Sequence, residues 1–174
     1  MPSLTRPSEA YKDSYIEALR EFQAEGRYLN LDISALVEDF GSFVKDLLRR
    51  SDRPTQDPGL VPETIWWLID RDEYIGRVSI RHELTEDLLR HGGHIGYDIR
   101  PSKRLRGYGK LILKLALEKA KEMGFVRVLV TCNSDNIGSK KIIEANGGVL
   151  ENEVEVCLDG RTRKKLRYWI RIED

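Results

Sequence analysis

Apolar residues recur three and four positions apart through residues 11–48 and then two apart through much of the remainder, so the period changes once along the chain. A short strand at Leu4-Thr5 is stopped by Pro7. Ser8 is placed to cap a helix running to about Glu25, with Tyr11, Tyr15, Leu19 and Phe22 on its apolar side and Gly26 at its end. After Asp32, residues Ile33, Leu36, Val37, Phe40, Phe43, Val44, Leu47 and Leu48 predict one amphipathic helix. Ser51 to Pro62, with prolines at 54, 58 and 62, predicts a loop. Thr64–Ile69, Tyr74–Ile80 and His94–Ile99 follow as strands, with Arg71-Asp72 turning the first pair. Tyr108–Glu122 is helical and Val126–Cys132 is a β-branched run of the buried-strand kind. A short helix over about Asp135–Asn146 is closed by Gly147-Gly148.

The chain ends in a predicted hairpin. Val154, Val156 and Leu158, then Leu166, Tyr168, Ile170 and Ile172, all fall on even positions. Keeping one face buried sets Val156 opposite Leu166 and Glu155 opposite Arg167, which requires a loop over Asp159–Arg163 rather than a two-residue turn. The strand–helix–strand unit at 94–132 implies two parallel strands joined by a right-handed crossover. The 174 residues suffice for one α/β domain over 1–174 with its own core.

Charge changes the picture only locally. Lys+Arg and Asp+Glu balance at 29 each, which argues against a nucleic-acid or anionic-membrane partner. No apolar run approaches a membrane span and the N-terminus has no secretory h-region, so a cytoplasmic protein is expected. Cys132 and Cys157 read as buried, reduced thiols. His82, His91 and His94 do not have a metal-ligand spacing, and no metal is expected. From Ile99 to Leu117, however, there are six basic residues and no acidic one. Within that stretch Arg104-Leu105-Arg106-Gly107-Tyr108-Gly109 lies between a strand and a helix, where backbone amides and the positive end of the helix dipole favour an anion. The spacing is neither that of a P-loop nor that of a dinucleotide fingerprint.

RLRGYG is similar to the R/Q-x-x-G-x-G/A signature of the GNAT superfamily of N-acetyltransferases, and the match extends outward. Ile95–Pro101 resembles the preceding strand of that family, Asp135-Asn136-Ile137-Gly138-Ser139 resembles its D-N-x-x-S, and Glu144–Gly148 resembles the segment closing the next helix. Arg81–Leu84 together with Gly92–Tyr97 resembles a bacterial subgroup of predicted acetyltransferases. The resemblance implies the GNAT N-acyltransferase fold, a mixed α/β arrangement with a mostly antiparallel central sheet, one parallel pair between the fourth and fifth strands, and flanking helices. It implies acetyl-CoA as cosubstrate, held by Tyr97, Ile99, Arg104, Leu105, Arg106, Gly107, Tyr108, Gly109, Lys110, Asn133, Asn136 and Ser139. It implies transfer of the acetyl group to a primary amine, on a small molecule or a peptide, and is compatible with a homodimer.

An alkyl ammonium, with a pKa near 10.4, must lose a proton before it attacks a thioester, so a general base is required. Glu83 and His94 are the leading candidates, with His82 and Asp98 behind them. Many GNAT members carry a tyrosine that protonates the departing thiolate. Ile143 occupies that place here, leaving Tyr28, Tyr97 or Tyr168 as substitutes. An acceptor pocket is expected from the first two helices, the proline-rich loop and the final hairpin, with Tyr28, Trp66, Trp67 and Trp169 as walls. A non-catalytic acyl-CoA-binding module on the same fold is the alternative.

Overall fold

A computed structural model of the protein describes residues 1–53 and 60–172. The central part of the proline-rich loop, with Pro54 and Pro58, lies outside them. Strand β1 (Ser3–Thr5) leads into helix α1 (Lys12–Ala24), followed by α2 (Ile33–Glu38) and α3 (Phe40–Arg49). Strands β2 (Glu63–Asp70), β3 (Glu73–Arg81) and β4 (Ile95–Ile99) come next, then α4 (Tyr108–Glu122), β5 (Arg127–Asn133), α5 (Ile137–Ala145), β6 (Val149–Leu158) and β7 (Arg161–Arg171).

The single helix expected after Asp32 is two. Asp32 caps α2, its carboxylate accepting from the Ser34 and Ala35 amides. Asp39 then leaves the helical region (φ −138°, ψ 71°) and starts α3 by accepting from the Ser42 amide. A second capping residue inside the amphipathic run restarts the helix without breaking the apolar stripe.

The strands form two antiparallel groups, one ordered β1-β2-β3-β4 and the other β5-β7-β6. The expected parallel ladder between β4 and β5 is absent; every described pairing is antiparallel. At their start the two strands touch through His94 N–H to the Leu129 carbonyl at 2.7 Å. The His94 carbonyl, which a ladder would use next on β5, instead accepts from the Arg81 amide of β3 at 2.8 Å, and the Leu129 amide donates to His94 Nδ1 at 2.9 Å. Gly93 (φ 70°) permits this approach, since a Cβ there would lie 2.6 Å from the Leu129 carbonyl oxygen. Beyond this seam β4 pairs only with β3, and its other edge borders a cleft.

The terminal hairpin also departs from expectation. Leu158 pairs with Arg161 across a two-residue Asp159-Gly160 turn, both residues at positive φ (52° and 71°), so Val156 faces Arg163 and Glu155 faces Lys164. A register shift between Leu150 and Asn152 restores even-to-even pairing, with Leu150 opposite Tyr168. The turn end of the hairpin is largely exposed, so no buried face enforced parity there and the Asp-Gly turn chemistry decided the register. The same exposure explains Cys157, which is on the surface; Cys132 is buried as expected.

Two apolar clusters result. One packs α4 (Ile112, Leu113, Ala116, Ala120) and Ile143 of α5 against Leu68, Val78, Ile95, Val130 and Tyr168. The other seats Ile16, Leu19, Phe40, Val44 and Leu47 on the opposite face of β2 and β3, against Ile65, Trp67 and Tyr74. No helix among the described residues is long and apolar enough to cross a membrane.

Candidate active site

The cleft beside β4, about 450 Å³, is lined by Tyr97, Asp98 and Ile99, by Arg104, Leu105 and Gly109 of the following turn, and by Asn136, Gly138, Ser139 and Ile142 at the start of α5. Glu25 and Arg27 complete its rim. The residues singled out in the motifs therefore converge from three separate stretches.

The turn leading into α4 supplies donors. Gly107, at φ 84°, is the helix cap and offers no side chain, and the first described backbone bond into the helix is Leu111 N–H to the Gly107 carbonyl at 3.2 Å. The amides before Leu111 point out of the helix start, as an anion site requires. Gly109 has a second role: a Cβ there would run into the Ile142 side chain, so glycine also lets α4 pack against α5.

The basic cluster is less available than its composition suggested. Arg100 is buried and paired with Glu17, Glu21 and Glu73, while Lys103 binds Glu73 at 2.6 Å. Arg104 makes a two-pronged contact with Glu25 (2.7 and 3.0 Å) and donates from Nε to the Ile99 carbonyl. Glu17 and Glu21 of α1 and Glu25 at its C-terminal cap, spaced four apart, form an acidic stripe that clamps this turn to the helix. Arg106 and Lys110 remain exposed. Tyr108 is turned away, its hydroxyl donating to Asp70 at 2.8 Å.

Burial works to raise the Glu21 carboxyl, but hydrogen bonds from Arg100 and Ser102 outweigh it and hold its pKa below the usual 4.5. A depressed carboxylate stabilises the fold fully above its unfolded pKa, and that contribution is lost as pH falls through the folded value. Melting temperature measured below about pH 5 should therefore fall more steeply for the wild-type protein than for Glu21→Gln. Equal slopes would remove the clamp from the account.

Tyr97 donates to or accepts from Ser139 Oγ at 3.0 Å across the cleft. Burial, partly offset by Ser139, raises its pKa to about 12, so it keeps its proton at neutral pH. Asn136 caps α5 through its side chain, accepting from Ser139 N–H. Asn133 does not line the cleft, but its Oδ1 is buried with no hydrogen-bond partner among the described residues.

Asp98 is the carboxylate on the wall of the cleft between Tyr97 and Ile99. It pairs with Arg27 at 2.7 Å and accepts a short hydrogen bond from the Tyr28 hydroxyl. Burial, then the Asp98 charge, raises the Tyr28 pKa, so this phenol is the proton donor in the pair. Gly76 on β3 holds Asp98 in place from behind, because a Cβ there would strike the Asp98 carbonyl oxygen. Gly76→Ala should displace β4 and cost about 1–3 kcal/mol of stability. Denaturant unfolding checks this.

The two leading base candidates lie elsewhere. Glu83 is exposed on the segment after β3 and does not line the cleft. His94 sits at the β4–β5 seam, edge-on to Phe125 with ring centroids 5.2 Å apart, and its Nδ1 is occupied by Leu129 N–H. Burial, reinforced by the charge of Arg81, lowers its pKa to about 4. His82 contacts Thr64 at 2.7 Å. Ile143 is fully buried, and Tyr168 bonds Glu144 of α5 at 3.1 Å.

Of the expected acceptor-pocket walls, Tyr28 and Trp67 share a second cavity of about 280 Å³ that α1, α3, β2 and β3 also line. Trp66 faces the other core, and Trp169 lies behind the sheet under Arg127, 4.4 Å from its guanidinium carbon to the ring centre. The hairpin contributes nothing to this cavity. Arg27, Gly76 and Arg77 carry no motif signal; only the partner strand and the opposing loop give them significance.

Residues 35–149 match the family model of the GNAT acetyltransferase domain. Solved structures share the architecture. The microcin C7 self-immunity acetyltransferase MccE, in complex with acetyl-CoA and AMP, superposes with a TM-score of 0.71 at 16% identity, covering 98% of this chain and 92% of that one. The Salmonella typhimurium acetyltransferase that modifies the N-terminal serine of ribosomal protein L7/L12 gives 0.69 at 18% identity, covering 99% and 95%. A GNAT-family acetyltransferase from Bacillus anthracis gives 0.69 at 17%, covering 99% and 96%. No curated protein matches the chain in sequence.

Proposed function

The chain belongs to the GNAT acetyltransferase family, whose enzymes are acetyl-CoA-dependent acyltransferases, and from that premise we propose that it acetylates a primary amine by direct attack within a ternary complex. The observation that carries this reading is the cleft in which the free edge of β4, the start of α4 and the start of α5 meet. An extended pantetheine arm suits a sheet edge that pairs on one side only, since it can add as a further strand. Unpaired amides around Gly107, with exposed Arg106 and Lys110, suit the pyrophosphate. Ser139 offers a further polar contact at the far wall.

In this reading Asp98 takes the proton of the incoming ammonium, directly or through one water. The amine nitrogen then bonds to the acetyl carbonyl carbon, the carbon–sulfur bond breaks, CoA leaves with the electron pair, and the nitrogen gives up its second proton through water to restore the group that protonates the sulfur. Tyr97, still protonated near neutrality and adjacent to Ser139, is the candidate donor to that sulfur. Glu83 and His94 remain alternatives for the base, acting only if a bound acceptor brings the reacting centre to them. Ile143 in place of a tyrosine favours the second reading, an acyl-CoA-binding module without turnover. Release of free CoA from acetyl-CoA, followed colorimetrically over a panel of amines, separates the two: acceptor-dependent release supports the enzyme, and binding without release for every amine contradicts it.

A further inference from the structure

The 280 Å³ cavity beneath α1 combines aromatic walls with cations that nothing there neutralises fully. Tyr15 stacks on Trp67 (centroids 4.9 Å, planes 17° apart), and Tyr74 meets both rings edge-on. Arg77 lines this space, and its guanidinium makes no hydrogen bond or ion pair with another described residue. It lies close enough to Tyr15, Tyr28 and Tyr74 to act on all three hydroxyls. Arg50, also on the wall, shares Glu63 with Arg53. The Trp67 indole N–H is fully buried without an acceptor.

The half-buried guanidinium asks for an anionic acceptor atom, while the indole N–H, with no accessible surface, lies behind the wall. The cavity also adjoins the Asp98 wall of the cleft through Tyr28. Arg77 pairs with Asp98 across β3 and β4, so both side chains lie on one face of the sheet, and Tyr28 belongs to the cavity wall while donating to Asp98. An amine held at Asp98 would place its substituents among the aromatic rings and its neighbouring anion at Arg77.

We infer that the acceptor is a small amine bearing an apolar or aromatic side chain and an anionic group close to the nitrogen, a carboxylate or a phosphate-type oxyanion, recognised by Arg77. The inference rests on the acetyltransferase reading above. The cavity volume, just under the roughly 300–1,000 Å³ of ordinary ligand pockets, suits one such molecule better than an extended peptide. In the reaction the ammonium and acetyl-CoA become the N-acetyl anion and free CoA, with one proton released.

The test compares phenylalanine, phenylalaninamide, phenethylamine, the aminophosphonate analogue of phenylalanine and a tripeptide beginning with phenylalanine, with CoA release as readout and acetyl-CoA affinity measured by calorimetry on the same protein. Charge-assisted hydrogen bonds of this kind are worth roughly 10–100-fold in kcat/KM. Phenylalanine or its phosphonate analogue should exceed the amide and the simple amine by that factor, and the better of the two identifies the oxyanion. Arg77→Met should collapse the ratio toward unity with acetyl-CoA affinity retained. Because the substrate series runs on the wild-type protein, the comparison survives a variant that fails to fold. Equal rates for charged and neutral amines, preference for the tripeptide, or acetylation of none of them by a protein that binds acetyl-CoA would overturn the inference alone. Absence of acetyl-CoA binding would instead remove the reading beneath it.

Discussion

Asp98→Asn is expected to lower kcat for acetyl transfer by roughly 10²–10⁴-fold, the usual cost of removing a general base, while acetyl-CoA affinity stays near wild type. The substitution keeps the shape of the side chain but leaves one oxygen for two donors, Arg27 and the Tyr28 hydroxyl, so melting temperature measured alongside separates loss of the base from loss of the Arg27 pair. The deficit should shrink as pH rises toward the amine's own pKa near 10.4, where free amine becomes abundant without help. Glu83→Gln and His94→Ala, assayed from about pH 6 to 10, complete the comparison. A full loss in either of those, with Asp98→Asn active, would move the base away from the cleft wall.

The second large effect concerns the pyrophosphate site. Gly107→Asp should weaken acetyl-CoA binding by at least roughly 100-fold, by setting a carboxylate beside the amides that would hold the phosphates. A side chain at this position meets no atom within 4 Å, so only the left-handed backbone (φ 84°) opposes it. That strain is about 1–2 kcal/mol and is mildest for Asp and Asn. The same change at Gly109 would confuse two effects, because it also collides with Ile142 and parts α4 from α5. Titration calorimetry with a folding check by circular dichroism separates loss of affinity from loss of structure.

Most of the fold was legible because burial and periodicity agree along long segments. The α4 stripe, the β5 run and the β2–β3 pair with its Arg71-Asp72 turn lie where the pattern placed them. The misses occur where a local hydrogen bond competes with the pattern. Asp39 divides a helix that its apolar stripe leaves continuous. The His94 carbonyl turns back to the Arg81 amide of β3 and ends a ladder that strand order alone would extend. The Asp-Gly turn overrides alternation in a hairpin end that buries little.

At the cleft, the glycine turn, Tyr97, Asn136 and Ser139 could be named because each lies in a short local motif. The surroundings of Asp98 could not, because Arg27, Tyr28, Gly76 and Arg77 come from elements dozens of residues away and have meaning only through sheet register and loop approach. Composition likewise overstated the anion site, since three of its six basic side chains are bound by acids of α1 and β3.

The most direct test of the central claim is thermal unfolding with acetyl-CoA, CoA and NADH side by side. A ligand at a hundred times its Kd adds about 2.7 kcal/mol to the stability of the state that binds it. For a chain of this size that corresponds to a rise of roughly 5–11 °C in melting temperature. Acetyl-CoA and CoA should both produce it and NADH should not. No shift with either CoA compound at millimolar concentration would contradict the account.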